Sequence, residues 1–341
     1  AVAPNGELCI ADAGLHRILK VDRNGIARRV AGTVNSIGFS GDGGQATNAL
    51  LNSPTRLAFG PDASLYFCDT GNNRVRCVAP SGVISTIAGG GTPADGLGDG
   101  GPATSAALSA PQGIAVGRDG RLFIADSGHD RVRVVSPGGI METAVGGGPL
   151  LADGAAAAQS KLSHPYNVAV APDCTLYVSA VDIRGGLWAL GGGELLRIDP
   201  LGRLDLLAGE ANFAAANGAP ARNMNLGNYG GLALGPDGWP YCTGWWWGVV
   251  IGKIGPDGLF RHVAGWLNAS WPNFDNYSGD GGPALAADIL AVLAIAFGPD
   301  GKMYQSQGEV VRQVTLPMPG VTGGSFRIPS EDGSELYVFD E

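Results

Sequence analysis

The chain has 341 residues, of which 57 are glycine and 22 are proline, and only 16% are charged. A chain of average composition would contain roughly half as many glycines. Apolar residues make up 45% of the sequence, which excludes a disordered chain and indicates a buried core. The glycines follow no three-residue period, so the chain is not collagen-like, and five cysteines are too few for a disulfide scaffold. The composition favours many short strands joined by tight turns.

The charge balance excludes further classes of protein. The net charge is −9, so the sequence offers no overall basic surface for nucleic acid phosphates. No apolar stretch approaches the roughly 18 residues of a membrane-spanning helix, so we expect no direct membrane insertion. The first residues contain no signal region and open inside a pattern that recurs later, so we expect the chain to be a piece of a longer polypeptide.

One sequence phrase recurs six times. A turn rich in Pro, Asp and Gly precedes an apolar run, as in Pro61-Asp62 before Leu65-Tyr66-Phe67-Cys68-Asp69. The six turns are Asn5-Gly6, Pro61-Asp62, Asp119-Gly120, Pro172-Asp173, Pro236-Asp237-Gly238 and Pro299-Asp300-Gly301. From Asn5 to Asp300 they lie 57, 57, 54, 64 and 63 residues apart. A period of this length indicates an array of similar structural units.

Each copy contains four short apolar runs separated by turns. In the second copy the runs are Leu57-Ala58-Phe59, Leu65 to Asp69, Val75 to Val78 and Val83 to Ile87. Four short strands joined by hairpins are typical of one propeller blade, and the three-to-four-residue spacing of a helical solenoid is absent. The sequence therefore predicts an all-β, six-bladed β-propeller with four antiparallel strands per blade and no exposed sheet edge.

The first three copies resemble the NHL repeat. Leu-x-x-Pro-x-x-Ile/Leu-Ala precedes the turn and Asp-x-Gly-x-x-Arg follows it, as in residues 51–58 with 69–74 and 108–115 with 126–131. The resemblance weakens in copy four, where an insertion separates Asp182 from Arg197, and copies five and six lack the Asp and Arg. It implies an NHL-type propeller over residues 1–315. Strand order then places the loops between strands two and three, and the connections between blades, on one face.

Three Asp–Arg pairs recur at a spacing of five residues. They are Asp12 with Arg17, Asp69 with Arg74, and Asp126 with Arg131. They are either charged sites or ties within their own hairpin loops, and their repetition from blade to blade favours ties.

Three glycine-rich connections carry one acidic residue each: Asp42, Asp99 and Asp280. A carboxylate among glycines offers oxygen ligands to Ca²⁺, although a calcium site ordinarily uses several carboxylates. The alternative is a turn in which the Asp caps the short Ala-rich segment after it. RNA binding, known for NHL domains beside ligase modules, uses a basic face, whereas the equivalent face here carries these three acids.

The four histidines bear on an enzymatic alternative. Some NHL propellers are metal-dependent lyases or hydrolases with His side chains at the central channel, and catalytic Zn²⁺ usually needs three ligands. His16 and His129 fall in hairpin loops and His262 in an outer strand, so only His164 precedes an innermost strand. One ligand does not make a site, and we therefore expect no enzyme.

The tryptophans cluster between residues 188 and 271. Those in predicted loops are Trp188, Trp245, Trp246, Trp247, Trp266 and Trp271. Trp245-Trp246-Trp247 replace the polar hairpin loop of earlier blades. Because Trp anchors protein interfaces and stacks on sugars, we expect a binding surface for a protein or glycan, the alternative being packing among these loops or on another domain.

The cysteines leave two possibilities open. Cys68 and Cys77 flank one hairpin and could pair across it. Their strand positions, shared with Cys9, Cys174 and Cys242, favour buried thiols.

Residues 316–341 form a linker and a further predicted strand. The phrase Ser330-Glu331-Asp332-Gly333-Ser334-Glu335-Leu336-Tyr337-Val338-Phe339-Asp340 resembles the first strand of the Tyr-Asp-repeat (RHS) shell of teneurins and bacterial teneurin-like or toxin proteins. In that family, NHL propellers with Gly-Asp-Gly-Gly loops precede such a phrase. The resemblance implies a non-catalytic recognition, adhesion or docking module, at the cell surface or secreted, whose partner is a protein, a glycan or the RHS shell itself.

Overall fold

The computed structural model describes residues 1–149, 151–181, 193–210, 217–224, 226, 231–245, 249–265, 284–286, 292–307, 310–315, 327–329 and 335–337. They belong to two compact units. The first consists of Ala1–Asp22, Ala27–Leu176 and Ile198–Asp205, and the second of Arg23–Ile26, Tyr177–Arg197 and Leu206–Glu341.

The fold is an all-β, six-bladed propeller, as predicted. Blade one contains β1 (Leu8–Asp12), β2 (Arg17–Val21) and β3 (Ala27–Ala31). Blade two contains β4 (Pro54–Phe59), β5 (Leu65–Asp69), β6 (Arg74–Val78) and β7 (Ile84–Gly89), and blade three contains β8 (Pro111–Val116), β9 (Leu122–Asp126), β10 (Arg131–Val135) and β11 (Met141–Gly146). Every pairing within these sheets is antiparallel, in the order of the sequence.

The remaining blades repeat the pattern. Blade four contains β12 (Ala155–Ala156), β13 (Asn167–Val170), β14 (Leu176–Val181), β15 (Gly193–Ile198) and β16 (Arg203–Ala208), in the sheet order β12-β16-β15-β14-β13. Blade five contains β17 (Leu232–Leu234), β18 (Pro240–Trp245), β19 (Val249–Ile254) and β20 (Phe260–Ala264), and blade six contains β21 (Val292–Phe297), β22 (Met303–Gln307) and β23 (Val310–Val314). Within the described residues the helices are single 3₁₀ turns at Ala46–Asn48, Thr70–Asn72, Ala103–Ser105, Ser127–His129, Ala157–Gln159, Ala221–Asn223 and Ala284–Ala286.

Two blades depart from the predicted four strands. In the described part of the chain, blades one and six have three strands each. The first strand of blade one is reduced to a single bridge between Val2 and Leu8. Beyond blade six, β24 (Arg327–Pro329) pairs with β25 (Glu335–Tyr337), so a strand does occur around Leu336, where the alternation predicts one.

The connections between blades protect the sheet edges. The connection before blade two runs along β7, where Gly43 N–H donates to the Ile84 carbonyl (2.8 Å) and Ile84 N–H donates to the Gly44 carbonyl (3.0 Å). Gly100 and Met141 form the same bond before blade three, at 2.8 Å. The outermost strand of a blade is therefore hydrogen-bonded on both sides, which prevents edge-to-edge association.

The same connection contributes to the core between blades one and two. Ala46, Ala49 and Leu51 of the connection pack with Phe67 and Ile84, and all five are almost fully buried. Their burial stabilises the blade, because about 25 cal/mol is gained for each Å² of apolar surface removed from water. The Gly-Asp-Gly-Gly segment is thus held by apolar packing just after it.

The five cysteines are free thiols, so Cys68 and Cys77 do not pair. Cys68 lies opposite Val75, and Cys77 lies opposite Tyr66, so the two thiols occupy different register positions of the β5–β6 hairpin. Burial raises the pKa of Cys77 to about 11.

Candidate functional site

Buried carboxylates hydrogen-bond the hairpin loops between strands two and three in blades two and three. In blade two, Thr70–Asn72 forms a 3₁₀ turn after Asp69, whose carboxylate is fully buried. Its Oδ1 atom accepts the N–H of Asn52 from the preceding connection at 2.7 Å, and in blade three Asp126 accepts the N–H of Ser109 at the same distance. Each Asp therefore joins its hairpin to the connection that leads into the blade.

The Asp–Arg pairs expected in blades two and three do not form. Arg74 donates from Nη1 to the carbonyl of Asn72 at 2.7 Å, and Arg131 makes the equivalent bond to a loop carbonyl at 2.8 Å. The partners predicted for Asp69 and Asp126 are therefore wrong, although both carboxylates do tie their loops. The physical reason is that the second arginine of each third strand forms the ion pair with this carboxylate.

Arg76 is that residue in blade two, and its side chain is fully buried. Its Nη1 atom lies 3.8 Å from Oδ2 of Asp69, and its Nη2 atom lies 2.6 Å from Oδ1 of Asp42. The guanidinium also donates to the carbonyls of Ser40 (2.9 Å) and Leu50 (3.1 Å). Arg76 thereby bonds strand β6 to both the beginning of the connection, at Ser40 and Asp42, and its end, at Leu50.

Blade three repeats this arrangement. The Nη2 atom of Arg133 lies 2.5 Å from Oδ1 of Asp99, and its Nη1 atom lies 3.5 Å from Oδ2 of Asp126. The connection carbonyls of Leu97 and Ala107 accept at 3.3 and 3.4 Å. A buried charge is tolerated only when it is paired and hydrogen-bonded, and both arginines meet this condition with two acids each.

Blade one shows why the predicted partners hold there. Arg17 pairs with Asp12, with Nε 2.9 Å from Oδ2. The position equivalent to Arg76 holds Leu19, which lies opposite Ile10 as Arg76 lies opposite Phe67. With no second arginine, the Asp pairs with the first.

In the two glycine-rich connections that the structure describes, Asp42 and Asp99 are not helix caps. The 3₁₀ turns after them have Gln45 and Pro102 at the N-cap, with no side-chain capping bond, so the capping expectation is wrong for these two residues. Oδ2 of Asp42 instead accepts the hydroxyl of Thr86 at 2.7 Å. Asp99 accepts from a threonine of blade three in the same way.

Calcium binding by these loops stays a prediction. Both oxygens of Asp42 and of Asp99 already bind an arginine and a threonine, so an ion would have to displace a cation that neutralises the carboxylate. Asp280 lies outside the described residues. Among the residues that the structure does describe, no three His, Cys, Asp or Glu side chains are grouped as metal ligands.

The sequence contains a signal for these buried arginines. Arg74-Val75-Arg76 and Arg131-Val132-Arg133 alternate with period two, which places both arginines of a strand on one face. The second arginine lies 34 residues after the Asp of the preceding connection in each case.

A second set of contacts joins consecutive blades through the backbone. A loop residue with positive φ accepts a backbone N–H from the residue before the proline that leads into the next innermost strand. The three contacts are His16 Nδ1 with Ser53 N–H (3.0 Å), Asn73 Oδ1 with Ala110 N–H (2.8 Å), and Asp130 Oδ1 with His164 N–H (2.7 Å). His, Asn and Asp all carry an acceptor at the δ position, and they adopt positive φ more readily than most residues.

The four histidines are engaged separately. His129 donates from Nδ1 to the buried Asp126 at 2.9 Å, and Nε2 of His262 lies 3.0 Å from the carbonyl of Ala264. His164, the histidine that precedes an innermost strand, is largely exposed, with Nδ1 3.3 Å from Oδ1 of Asp130. These contacts supply no three-histidine metal site within the described residues.

Most of the predicted tryptophan surface lies outside the described residues. Trp188, Trp246, Trp247, Trp266 and Trp271 are in the undescribed ranges, as is the side chain of Trp245. Trp245 ends β18 and pairs in register with Val249, one pair beyond Gly244 and Val250, which correspond to Asp69 and Arg74. Trp246 and Trp247 therefore connect strands two and three of blade five, as Thr70–Asn72 does in blade two.

Apolar side chains are exposed on the corresponding face of blades one and two. Ile37 is 63% exposed and Phe39 is 41% exposed. The guanidinium of Arg74 lies 3.9 Å from the centre of the Phe39 ring, and Asn72 donates from Nδ2 to the carbonyl of Gly38 at 2.7 Å. The connection and the hairpin loop therefore share one face here, which confirms the topological prediction for blade two.

Six antiparallel sheets form the β-propeller, and the Asp-tied hairpin loops of blades one to three make it NHL-type. A sequence profile described as "Teneurin NHL domain" matches residues 80–153. Teneurin-3 of Danio rerio is 28% identical over 266 residues, 71% of this chain and 9% of that protein. Teneurin-4 of Homo sapiens is 37% identical over 102 residues, 26% of this chain and 4% of that protein. The chain thus spans only a small part of the length of these relatives.

Solved structures share the fold at low sequence identity. A catalytically inactive virginiamycin B lyase from Staphylococcus aureus, with quinupristin, has a TM-score of 0.52 and 14% identity, covering 92% of this chain and 79% of the lyase. A protein of unknown function from Bacteroides thetaiotaomicron has a TM-score of 0.59 and 16% identity, covering 90% and 65%. At such identity these similarities concern the fold alone.

Among the described residues, none of the helices has the length and apolar character needed to cross a membrane.

Proposed function

We propose that the chain is a non-catalytic binding or docking propeller of a larger teneurin-like protein, at the cell surface or secreted. Its ligand is a protein or a glycan, or the RHS shell of the same polypeptide. The similarity to Teneurin-3 and Teneurin-4 supports the teneurin-like context, and the RHS-like tail phrase supports the intramolecular partner.

The observation that carries this proposal is the replacement of a tied polar loop by tryptophans. In blades two and three the hairpin loop is held by a buried carboxylate. In blade five, Gly244 stands at the position of that Asp, and Trp245, Trp246 and Trp247 follow it. Loss of the structural Asp together with gain of Trp supports recognition, because Trp is enriched among the residues that dominate binding energy.

The test compares tryptophans at opposite ends of blade five. The double variant Trp246→Ser and Trp247→Ser alters the loop, whereas Trp239→Ser alters a partly buried residue beside the Pro236-Asp237-Gly238 turn. Binding is measured on a glycan array and on a panel of purified ectodomains that includes the RHS shell. We expect the double variant to lose binding by about thirtyfold or more, the ΔΔG of at least about 2 kcal/mol that defines a hot spot, and the control to retain it.

Two outcomes contradict the proposal. Unfolding of the double variant, seen by circular dichroism, would make these tryptophans packing residues. Unchanged binding would place the interface elsewhere on the propeller.

The alternative is an NHL-type, metal-dependent lyase or hydrolase. Its support is the fold shared with the virginiamycin B lyase. Elemental analysis of the purified protein distinguishes the alternatives, because stoichiometric Zn²⁺ would contradict a purely binding role and stoichiometric Ca²⁺ would support the Asp42 and Asp99 prediction.

A further inference from the structure

Arg56 lies on β4, the innermost strand of blade two, at a position that differs among the blades. The phrases Pro54-Thr55-Arg56, Pro111-Gln112-Gly113 and Pro165-Tyr166-Asn167 align Arg56 with Gly113 and Asn167. The equivalent residues of blades five and six are Gly231 and Ala294. Arg56 is thus the one charged residue among these five aligned positions.

The glycine of blade three allows close packing of the inner strands. A Cβ atom at Gly113 would lie 2.6 Å from the carbonyl oxygen of Tyr166 and 2.8 Å from Cα of Asn167. Blade three therefore has no side chain at this position, and Arg56 reaches from blade two to blade four. Its Nε atom donates to Oδ1 of Asn167 at 2.5 Å, across 111 residues of sequence. This bond fixes the guanidinium on the inner strands.

Among the described residues, no carboxylate pairs with Arg56. Arg76 and Arg133 each contact two acids, whereas Nη1 and Nη2 of Arg56 bind no group in the described part of the chain. The side chain is partly buried, and this burial lowers the pKa of Arg56 to about 10. Removing a cation from water without a counter-charge is costly, so an anion at this position would be stabilising.

We propose that Nη1 and Nη2 of Arg56 bind the carboxylate of a ligand at the inner strands of the first unit. Nε is already used by Asn167, so two parallel donors remain, and they match the two oxygens of a carboxylate. The single positive charge matches a single negative charge. A phosphate monoester carries −1.5 to −2 at neutral pH and would need a second cation.

The test follows the arginine side-chain N–H signals of ¹⁵N-labelled protein by NMR during addition of sodium acetate, with ionic strength held constant by sodium chloride. Arg56→Lys assigns the Arg56 signal. We expect that signal to shift with half-saturation at about 10 mM acetate, typical of one charge-assisted pair. The signal of Arg121, which pairs with Asp119 at 2.6 Å, should not move.

Isothermal titration calorimetry then compares the acetate affinity of Arg56→Lys and Arg56→Gln with that of the wild-type protein. Lysine keeps the charge but lacks the two-pronged donor, so binding should weaken about tenfold, and glutamine should abolish it. A second arm uses the blocked peptide Gly-Gly-Asp-Gly-Gly and its Asn counterpart. Peptide binding would identify an acidic chain segment as the source of the carboxylate, and binding of acetate alone would identify a small free acid.

Three results would overturn the proposal. They are an Arg56 signal unmoved by 100 mM acetate, an equal shift with chloride alone, and tighter binding of inorganic phosphate than of acetate. If the variants fail to fold, triple-resonance NMR of the wild-type protein assigns the Arg56 signal, and the wild-type titration then decides. The double variant Trp246→Ser and Trp247→Ser should leave the acetate effect unchanged, so this site and the proposed Trp surface are tested separately.

Discussion

Nη2 of Arg76 lies 2.6 Å from Oδ1 of Asp42, although 34 residues separate the two in the chain. The contact joins a glycine-rich connection to the third strand of the next blade. The connection itself contains Gly41, whose φ is +94° and whose added Cβ would lie 2.8 Å from Cα of Ala49. The glycine therefore permits the close approach, and the ion pair fixes it.

We expect Arg76→Leu to destabilise the protein by about 3–5 kcal/mol, because it leaves the buried carboxylate of Asp69 without a cation. Arg28→Leu, on the exposed face of β3, is the matched control and should change stability by less than about 0.5 kcal/mol. Urea unfolding followed by far-UV circular dichroism measures both. Equal effects of the two substitutions would show that the buried pair contributes nothing specific.

The link between His16 and Ser53 predicts a residue-specific pattern of substitutions. His16→Asn should be nearly neutral, because Asn73 performs the same function in blade two and asparagine tolerates the positive φ of 55°. His16→Ala should cost about 1–3 kcal/mol, since it leaves the partly buried N–H of Ser53 without an acceptor. Thermal unfolding compares the two variants. A neutral alanine variant would contradict the role assigned to this bond.

Cys174 should be the first cysteine to react with iodoacetamide in the folded protein. It is the one partly exposed thiol of the five, whereas burial raises the pKa of Cys9 and Cys77 to about 11 and that of Cys242 to about 12. The thiolate is the reactive form, so these groups should be protected at pH 8.

Peptide mass spectrometry after timed labelling gives the order of reaction. Labelling in urea is the control and should make all five cysteines reactive. Fast labelling of Cys242 in the native protein would contradict the burial of β18.

His262 should lower the acid stability of the protein. Burial lowers its pKa below the ordinary value of about 6.5. The unfolded chain therefore binds a proton at a higher pH than the folded chain, and folded-state stability falls as the pH drops from about 6.5 towards the folded pKa. His262→Gln should make this loss shallower in urea unfolding between pH 7 and pH 5.

An equal slope of stability against pH in the wild-type protein and in His262→Gln would contradict the burial argument.

The sequence by itself determined the six repeats and the succession of short strands and turns in each blade. Turn residues such as Pro61-Asp62 and alternating runs such as Leu65 to Asp69 act over a few residues, so local physics suffices to locate them. It also placed Trp246 and Trp247 between strands two and three of blade five. The tertiary structure decided the pairing partners. Asp69 binds Arg76 and not Arg74, because the partner is selected by burial and by the returning connection, which only the folded blade brings together. The same holds for Arg56 and Asn167, whose contact across 111 residues depends on how the inner strands pack.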